Sequence, residues 1–327
     1  MKRTAMLVAI LSVAIWTAAQ TASQGAQQNP PAAGQATPGG QAAPAGQAAP
    51  AQAAPAPQGK RPPQAKTQPE FDAWKAADAG SRPTPEEQAA AQKNPADTQK
   101  LVATIAARTE QAADDFAVKF PDSEVRSLLY KTTMSLYYNS NNMDKTEALG
   151  RKALSLDGND PQVLVLVAEV IAEKTRDTDL DKDQRFDEAM KMAQRAMQTI
   201  DTDLIFNSGT PQPTIDSAKS ELRSRAYSVL GAIDFKKENY ASAEINLQKS
   251  IDAYPQQPDP YSVLKMAIAL DKQQKYAEAL KVANRAVELT KETDQAGIYA
   301  RRERDRLQQL TGGAPVPPQP QTQPPKN

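Results

Sequence analysis

The sequence predicts an all-α solenoid of stacked antiparallel helical hairpins between two disordered tails. Three observations point there. Apolar residues between Phe71 and Leu310 recur at spacings of three and four, the period of a helix with one buried face. Glycine is scarce in that stretch, and proline falls mainly at joints between helical segments. A set of small and large positions also recurs from one segment to the next, as it does when one supersecondary unit is stacked on copies of itself.

The chain begins with Lys2 and Arg3, an apolar run from Ala5 to Trp16, and the small residues Thr17-Ala18-Ala19. This order is that of an export signal, with cleavage expected after Ala19 and a periplasmic or secreted mature protein. The rival is an uncleaved anchor, but the run is shorter than the roughly 20 residues that span a bilayer. No cysteine follows it, so a lipid-modified N-terminus is excluded.

From Gln20 to Gln68 there is no Val, Ile, Leu, Met or aromatic residue, and the pentad Gly-Gln-Ala-Ala-Pro at Gly40 returns at Gly46. Such a segment buries too little apolar surface to offset its ordering entropy. It is expected to be a disordered, partly polyproline-II tether with a reach on the order of 100 Å. The tail 312–327 has the same character. Both serve as spacers or as ligands for a wall polymer or a proline-binding domain.

Residues 69–123 are expected to form N-terminal helices. Phe71 and Trp74 mark a short one, and Leu101, Ile105, Ala112, Phe116 and Phe120 share a face of the next, which stops at Pro121 with Asp122-Ser123 as the following cap. Residues 124–290 carry the repeats. The clearest unit has Tyr227, Leu230 and Gly231 in one helix, then Ala243, Leu247 and Ser250 in the next, then Pro255. Small residues are needed where two helices cross closely, and large ones fill the space beside them. The following unit repeats the second-helix set as Ala279, Ala283 and Ala286, a step of 36 residues from Ala243 to Ala279. Its first helix runs from Tyr261 to Leu270, with Met266 and Ala267 at the positions of Leu230 and Gly231. Upstream, Gln162 to Ala172 and Phe186 to Ile200 form a hairpin with Ala168, Ala189, Ala193 and Ala196 at the small positions. A weaker unit from Leu128 to Asp157 has Tyr130, Tyr137, Thr146, Gly150 and Ala153, but Met134 at the crossing predicts that it splays. Insertions are expected at 175–185 and 202–215. A capping helix over 291–311 would place Tyr299, Leu307 and Leu310 inward and Arg301, Arg302, Arg304 and Arg306 mostly outward, where they face solvent or an acidic partner.

The pattern Tyr227, Leu230, Gly231, Ala243, Leu247, Ser250, Pro255 resembles the tetratricopeptide repeat, over roughly Leu128 to Leu289. Asp234 departs from it, standing where that family has a large residue, and is expected to loosen the local contact. The resemblance implies a concave groove lined by the first helix of each hairpin and able to accept a peptide. Carried onto the two best units, the lining is Arg225, Ser228, Val229, Ala232, Phe235 and Lys236, then Tyr261, Leu264, Lys265, Ile268 and Lys272. These residues suit a segment with hydrophobic anchors and some acidic character, or else are ordinary helix surface and packing.

Other chemistry is narrowed by composition. The chain has no cysteine and no histidine, which removes disulfides, thiolate nucleophiles, imidazole bases and the common soft metal ligands. Lys+Arg and Asp+Glu number 39 each, so no net field draws nucleic acid or an anionic membrane. Asp177, Asp179, Asp181, Asp183 and Glu188 fall at places one, three, five, seven and twelve of a calcium loop, but Lys182 occupies the sixth place, which requires glycine. The other reading of these acids is a solvated loop that favours the next helix N-terminus.

The expectation is therefore a cofactor-free, non-catalytic cell-envelope scaffold of bacterial type. It would bind a protein or peptide segment, with neither nucleic-acid binding nor stable membrane insertion after signal cleavage. The alternatives are a structural part of an envelope assembly that uses its convex face or tails, and an enzyme acting on envelope polymers.

Overall fold

A computed structural model describes residues 60–93, 95–207 and 209–312. The expected signal segment 1–19, the tether up to residue 59 and the tail from 313 lie outside the described residues. Twelve helices and no strand occur among the described residues: α1 (Gln68–Ala79), α2 (Pro85–Lys93), α3 (Pro95–Lys119), α4 (Arg126–Asn139), α5 (Met143–Leu156), α6 (Pro161–Lys174), α7 (Lys182–Asp203), α8 (Gln212–Lys236), α9 (Tyr240–Ala253), α10 (Pro260–Lys272), α11 (Tyr276–Glu288) and α12 (Gln295–Leu310). They pack as antiparallel hairpins α4/α5, α6/α7, α8/α9 and α10/α11, each stacked on the next, with α12 closing against α10 and α11. The fold is the all-α solenoid of stacked antiparallel helical hairpins that the residue spacing predicts.

Local chemistry starts the helices where the sequence changes character. Asp160 and Asp259 each precede a proline. Asp160 accepts from the amides of Gln162 (2.9 Å) and Val163 (3.2 Å), and Asp259 from those of Tyr261 (3.3 Å) and Ser262 (2.9 Å). The aspartate satisfies amides that have no partner within the helix, and proline in the first turn gives up a donor that is not needed. Thr84 and Glu87 cap α2 reciprocally, Thr84 Oγ1 accepting from the Glu87 amide at 3.2 Å and Glu87 from the Thr84 amide at 2.8 Å.

The turn inside a hairpin is also repeated. At Asn141, Glu238 and Gln274 the backbone is left-handed, with φ of 62°, 58° and 61°. Around each, the amide two residues past the helix cap returns to the third-last carbonyl: Asn142 to Tyr137, Asn239 to Asp234, and Lys275 to Leu270. Together with the bond from the left-handed residue itself, Asn141 to Tyr138, Glu238 to Phe235 and Gln274 to Asp271, it closes the helix end and reverses the chain in two residues. Glu238 and Gln274 stand 36 residues apart, the same step as Ala243 to Ala279.

Small positions let the paired helices approach. Ala243, Leu247, Ala279, Ala283, Ala286, Ala189, Ala193 and Ala196 are fully buried. A β-carbon on Gly231 would lie 2.6 Å from Leu247 Cγ, so α8 and α9 meet at a distance that only glycine allows. In α4/α5 the roles are exchanged. Met134 is buried, and a β-carbon on Gly150 would lie 3.1 Å from Met134 Sδ and 2.2 Å from Val167 Cγ2. The expected splay is therefore corrected: the large residue at 134 is received by the missing side chain at 150. Asp234 is likewise buried without loosening its contact, because its Oδ2 accepts from Asn246 Nδ2 of α9 at 2.8 Å.

Other boundaries and orientations also differ from expectation. Helix α8 begins at Gln212 and α7 runs to Asp203, so the second insertion is shorter than 202–215; the first is confined to 175–181. In α12 the inward stripe is Ala296, Gly297, Ala300 and Leu307, whereas Tyr299 and Leu310 are exposed at 37% and 51%. Positions 296, 300 and 307 follow the helical period toward α10 and α11, and 299 and 310 lie off it. Residues 60–67, expected to belong to the disordered tether, instead lie on the array: Lys60 N donates to the Thr202 carbonyl (2.9 Å), and Arg61 pairs with Glu124 (2.8 Å).

Candidate functional site

The first helices of the hairpins share one face, since α8 packs against both α6 and α10, and α10 also meets α12. The residues carried onto that face by the repeat resemblance divide into three groups.

Val229 and Leu264 are buried at 4% and 5% exposure, so they are corrected from lining to packing residues. Val229 packs in the apolar cluster that extends over α3–α8, and Leu264 in the one formed by α9–α12.

Arg225 and Lys236 are engaged by the scaffold. Arg225 pairs with Glu169 of α6 (2.8 Å), and the other oxygen of that carboxylate accepts from the Tyr138 hydroxyl of α4 (2.6 Å). One acidic residue thus ties three successive first helices together. Lys236 Nζ donates to the carbonyls of Ala172 (2.5 Å) and Thr175 (3.0 Å) at the C-terminal end of α6, and lies 5.7 Å from the Phe186 ring centroid. A cation there satisfies carbonyls that the helix leaves unpaired and meets the negative end of its dipole. Burial and then the nearby Lys265 cation hold the Lys236 pKa below the ordinary lysine value.

The remaining positions form the candidate surface. Tyr261, Lys265, Ile268 and Lys272 advance by four, three and four residues, one side of α10; the first three are half-buried and Lys272 is exposed. Beside them on α8 are Ser228, Ala232 and Phe235, all half-buried. Ser228 Oγ bonds Ser262 Oγ at 2.7 Å, and the Phe235 ring meets Tyr240 edge-on at 5.6 Å, which fixes the two helices and the aromatic side chain. The arrangement offers an apolar strip with cations along it, fit for contact and orientation.

The acidic insertion is not a metal cage. Among the described residues no group of three His, Cys, Asp or Glu side chains is placed to hold a metal ion. Of the calcium-loop set, Asp183 and Glu188 already belong to α7, and Glu188 is held by Arg151 of α5 through bonds of 2.5 and 3.0 Å. Asp179 accepts from the Arg176 amide at 2.9 Å, Lys182 approaches Asp177 at 3.7 Å, and Asp181 is the N-cap residue of α7. Because the helix starts at Lys182, the loop cannot curl around an ion.

On the opposite side, α9 and α11 leave a depression floored by Met266 and Leu270 of α10 and edged by Gln248, Lys281, Val282 and Arg285. None of these positions is among the binding residues that the repeat resemblance implied, which were drawn from first helices only.

No family model and no curated protein matches the chain. Among solved structures the chain is similar to one described as "Assembly Chaperone of RpL4 (Acl4) (Residues 1-338)", at 12% identity over 66% of this chain and 95% of that one, with a TM-score of 0.33.

Proposed function

We propose that this chain is an exported, non-catalytic scaffold of the tetratricopeptide type in a bacterial cell envelope, which holds a protein segment on the α8–α10 face. The observation that carries the reading is the stripe of Tyr261, Lys265, Ile268 and Lys272 beside Ser228, Ala232 and Phe235. A segment with apolar anchors and acidic flanks meets area from Tyr261, Ile268 and Phe235, and orientation from the lysines. The supporting helices are already cross-linked, so little ordering is required at binding. The reading needs no cofactor. Among the described residues no helix is long and apolar enough to cross a membrane.

The test is an affinity capture from an envelope extract, with the wild type compared against Tyr261→Ala and Ile268→Glu by quantitative mass spectrometry. Loss of the same partner from both variants, with helical content and melting unchanged, is expected; a weakening of about 30-fold for Tyr261→Ala would correspond to a central anchor of ~2 kcal/mol. Partners retained by both variants would remove the assignment. Export is read separately by N-terminal sequencing of protein recovered outside the cytoplasm, where Gln20 is the expected first residue and a retained Met1 opposes it.

The depression between α9 and α11 favours a second reading, a structural role in an envelope assembly through the second-helix side. Val282→Asp distinguishes it, because that change leaves the α8–α10 face untouched.

A further inference from the structure

Residues 60–67 form an extended, proline-containing strap whose polar contacts fall at successive joints of the array. Lys60 Nζ pairs with Asp157 (2.5 Å) at the α5–α6 joint and approaches Asp203 (3.7 Å) at the α7–α8 joint, where the Lys60 amide also donates to the Thr202 carbonyl (2.9 Å). Arg61 pairs with Glu124 (2.8 Å) at the α3–α4 joint, and Lys66 Nζ donates to the Asp122 carbonyl (2.9 Å). Glu124, Asp157 and Asp203 thus place one carboxylate at each of three consecutive joints, and all three meet cations of one short segment. No charged residue occurs from Thr4 to Gly59, so these cations are the first in the chain after Arg3.

The contacts are electrostatic and largely wet. Arg61 and Glu124 are 63% and 41% exposed, whereas Asp157 and Asp203 are better covered, at 16% and 18%. Pairs of this kind contribute little each and weaken with salt. The strap has no Val, Ile, Leu, Met or aromatic residue to hold it by burial. It is retained because its covalent connection keeps it at high local concentration.

We propose that this acidic joint edge is a second binding surface, and that its ligand is an extended segment of a partner protein carrying lysine or arginine next to proline. The strap shows the chemistry the edge accepts and acts as an intramolecular competitor for it. Proline preorganises the extended form, so a partner segment of the same composition loses little entropy on docking. The edge lies at the joints between hairpins rather than on the α8–α10 strip, and its partner has the opposite charge.

The probe is a fluorescent peptide, Lys-Arg-Pro-Pro-Gln-Ala-Lys-Thr, titrated into the full chain at low salt and followed by anisotropy. The triple variant Lys60→Ala/Arg61→Ala/Lys66→Ala removes the competitor and is expected to bind about tenfold more tightly than wild type, as expected when an intramolecular competitor is removed. Adding Glu124→Gln and Asp157→Asn is expected to abolish the gain, whereas Tyr261→Ala leaves it intact. Equal binding by wild type and triple variant, or binding that ignores Glu124 and Asp157, overturns the proposal. Concentration-dependent dimerisation of the triple variant with no peptide uptake also overturns it, by making the ligand a second copy. In the wild type, hydrogen exchange at the Lys60 amide should accelerate as unlabelled peptide is added; no change there counts against displacement whatever the variants do.

Discussion

Gly231 has no room for a side chain, and the measurable consequence is specific. Gly231→Ala places a β-carbon against Leu247 and is expected to cost about 1–3 kcal/mol, the range for overpacking a close contact. Leu247→Ala alone is expected to cost about 2–5 kcal/mol as a cavity. The double variant recreates the alanine pair found at Ala267 and Ala283, both fully buried, and should be more stable than the sum of the singles by roughly 1 kcal/mol. Denaturant unfolding of the four proteins checks this. Gln274 is the converse case, an exposed residue held at a φ of 61° where glycine is at ease. Gln274→Gly is expected to stabilise by up to about 1 kcal/mol, read as a shift of the unfolding midpoint at constant slope.

At the scale of the helix, much of the order comes from polar side chains that tie one element to another. Lys236 closes the end of α6, so Lys236→Met is expected to cost about 1–2 kcal/mol while leaving capture of a partner by the α10 strip unchanged. Glu110 and Glu147 provide a pH signature. Burial raises the pKa of each, but bonds from Lys145 and Tyr137 to Glu110, and from Lys174 and Arg151 to Glu147, outweigh it and hold both below their ordinary 4.5. A depressed carboxylate contributes stability above its unfolded pKa and loses it as pH falls through the folded one. Stability should therefore decline as pH falls below about 4.5, and Glu110→Gln/Glu147→Gln should flatten that slope.

The same scale explains what could be read from the residues alone. Ala243, Ala279, Ala283 and Ala286 announce close crossings because the pattern is periodic and local. The Asp-Pro starts of α6 and α10 are legible for the same reason. Val229 and Leu264 were misjudged because they are covered by the neighbouring hairpin, which no single-helix period reveals. Lys236 and Arg225 read as surface cations because their partners are 64 and 56 residues away. The strap was hidden by composition: a segment without apolar residues looks unstructured until the carboxylates that receive it are brought together by the fold.

Across the whole described array, each hairpin touches mainly its neighbours, and the buried apolar residues divide into one cluster over α1 and α3–α8, a smaller one among α6, α7 and α8, and another from α9 to α12. Opening is expected to be graded rather than all-or-none. Amide exchange should find α10–α12 opening below the global free energy while α6 retains the slowest amides, since Val163, Val165, Val167, Ala168, Val170 and Ile171 are almost completely buried. Uniform protection across both regions would show a single cooperative unit. The exchanged notch and bulge in α4/α5 set a limit on rearranging such an array. Pairing α4 with α9 would drive Met134 into Leu247, and pairing α8 with α5 would set Gly231 over Gly150 and leave a hole. The interchangeable part is therefore the complete hairpin, and a duplication or transplant that cuts between its two helices joins halves that no longer match.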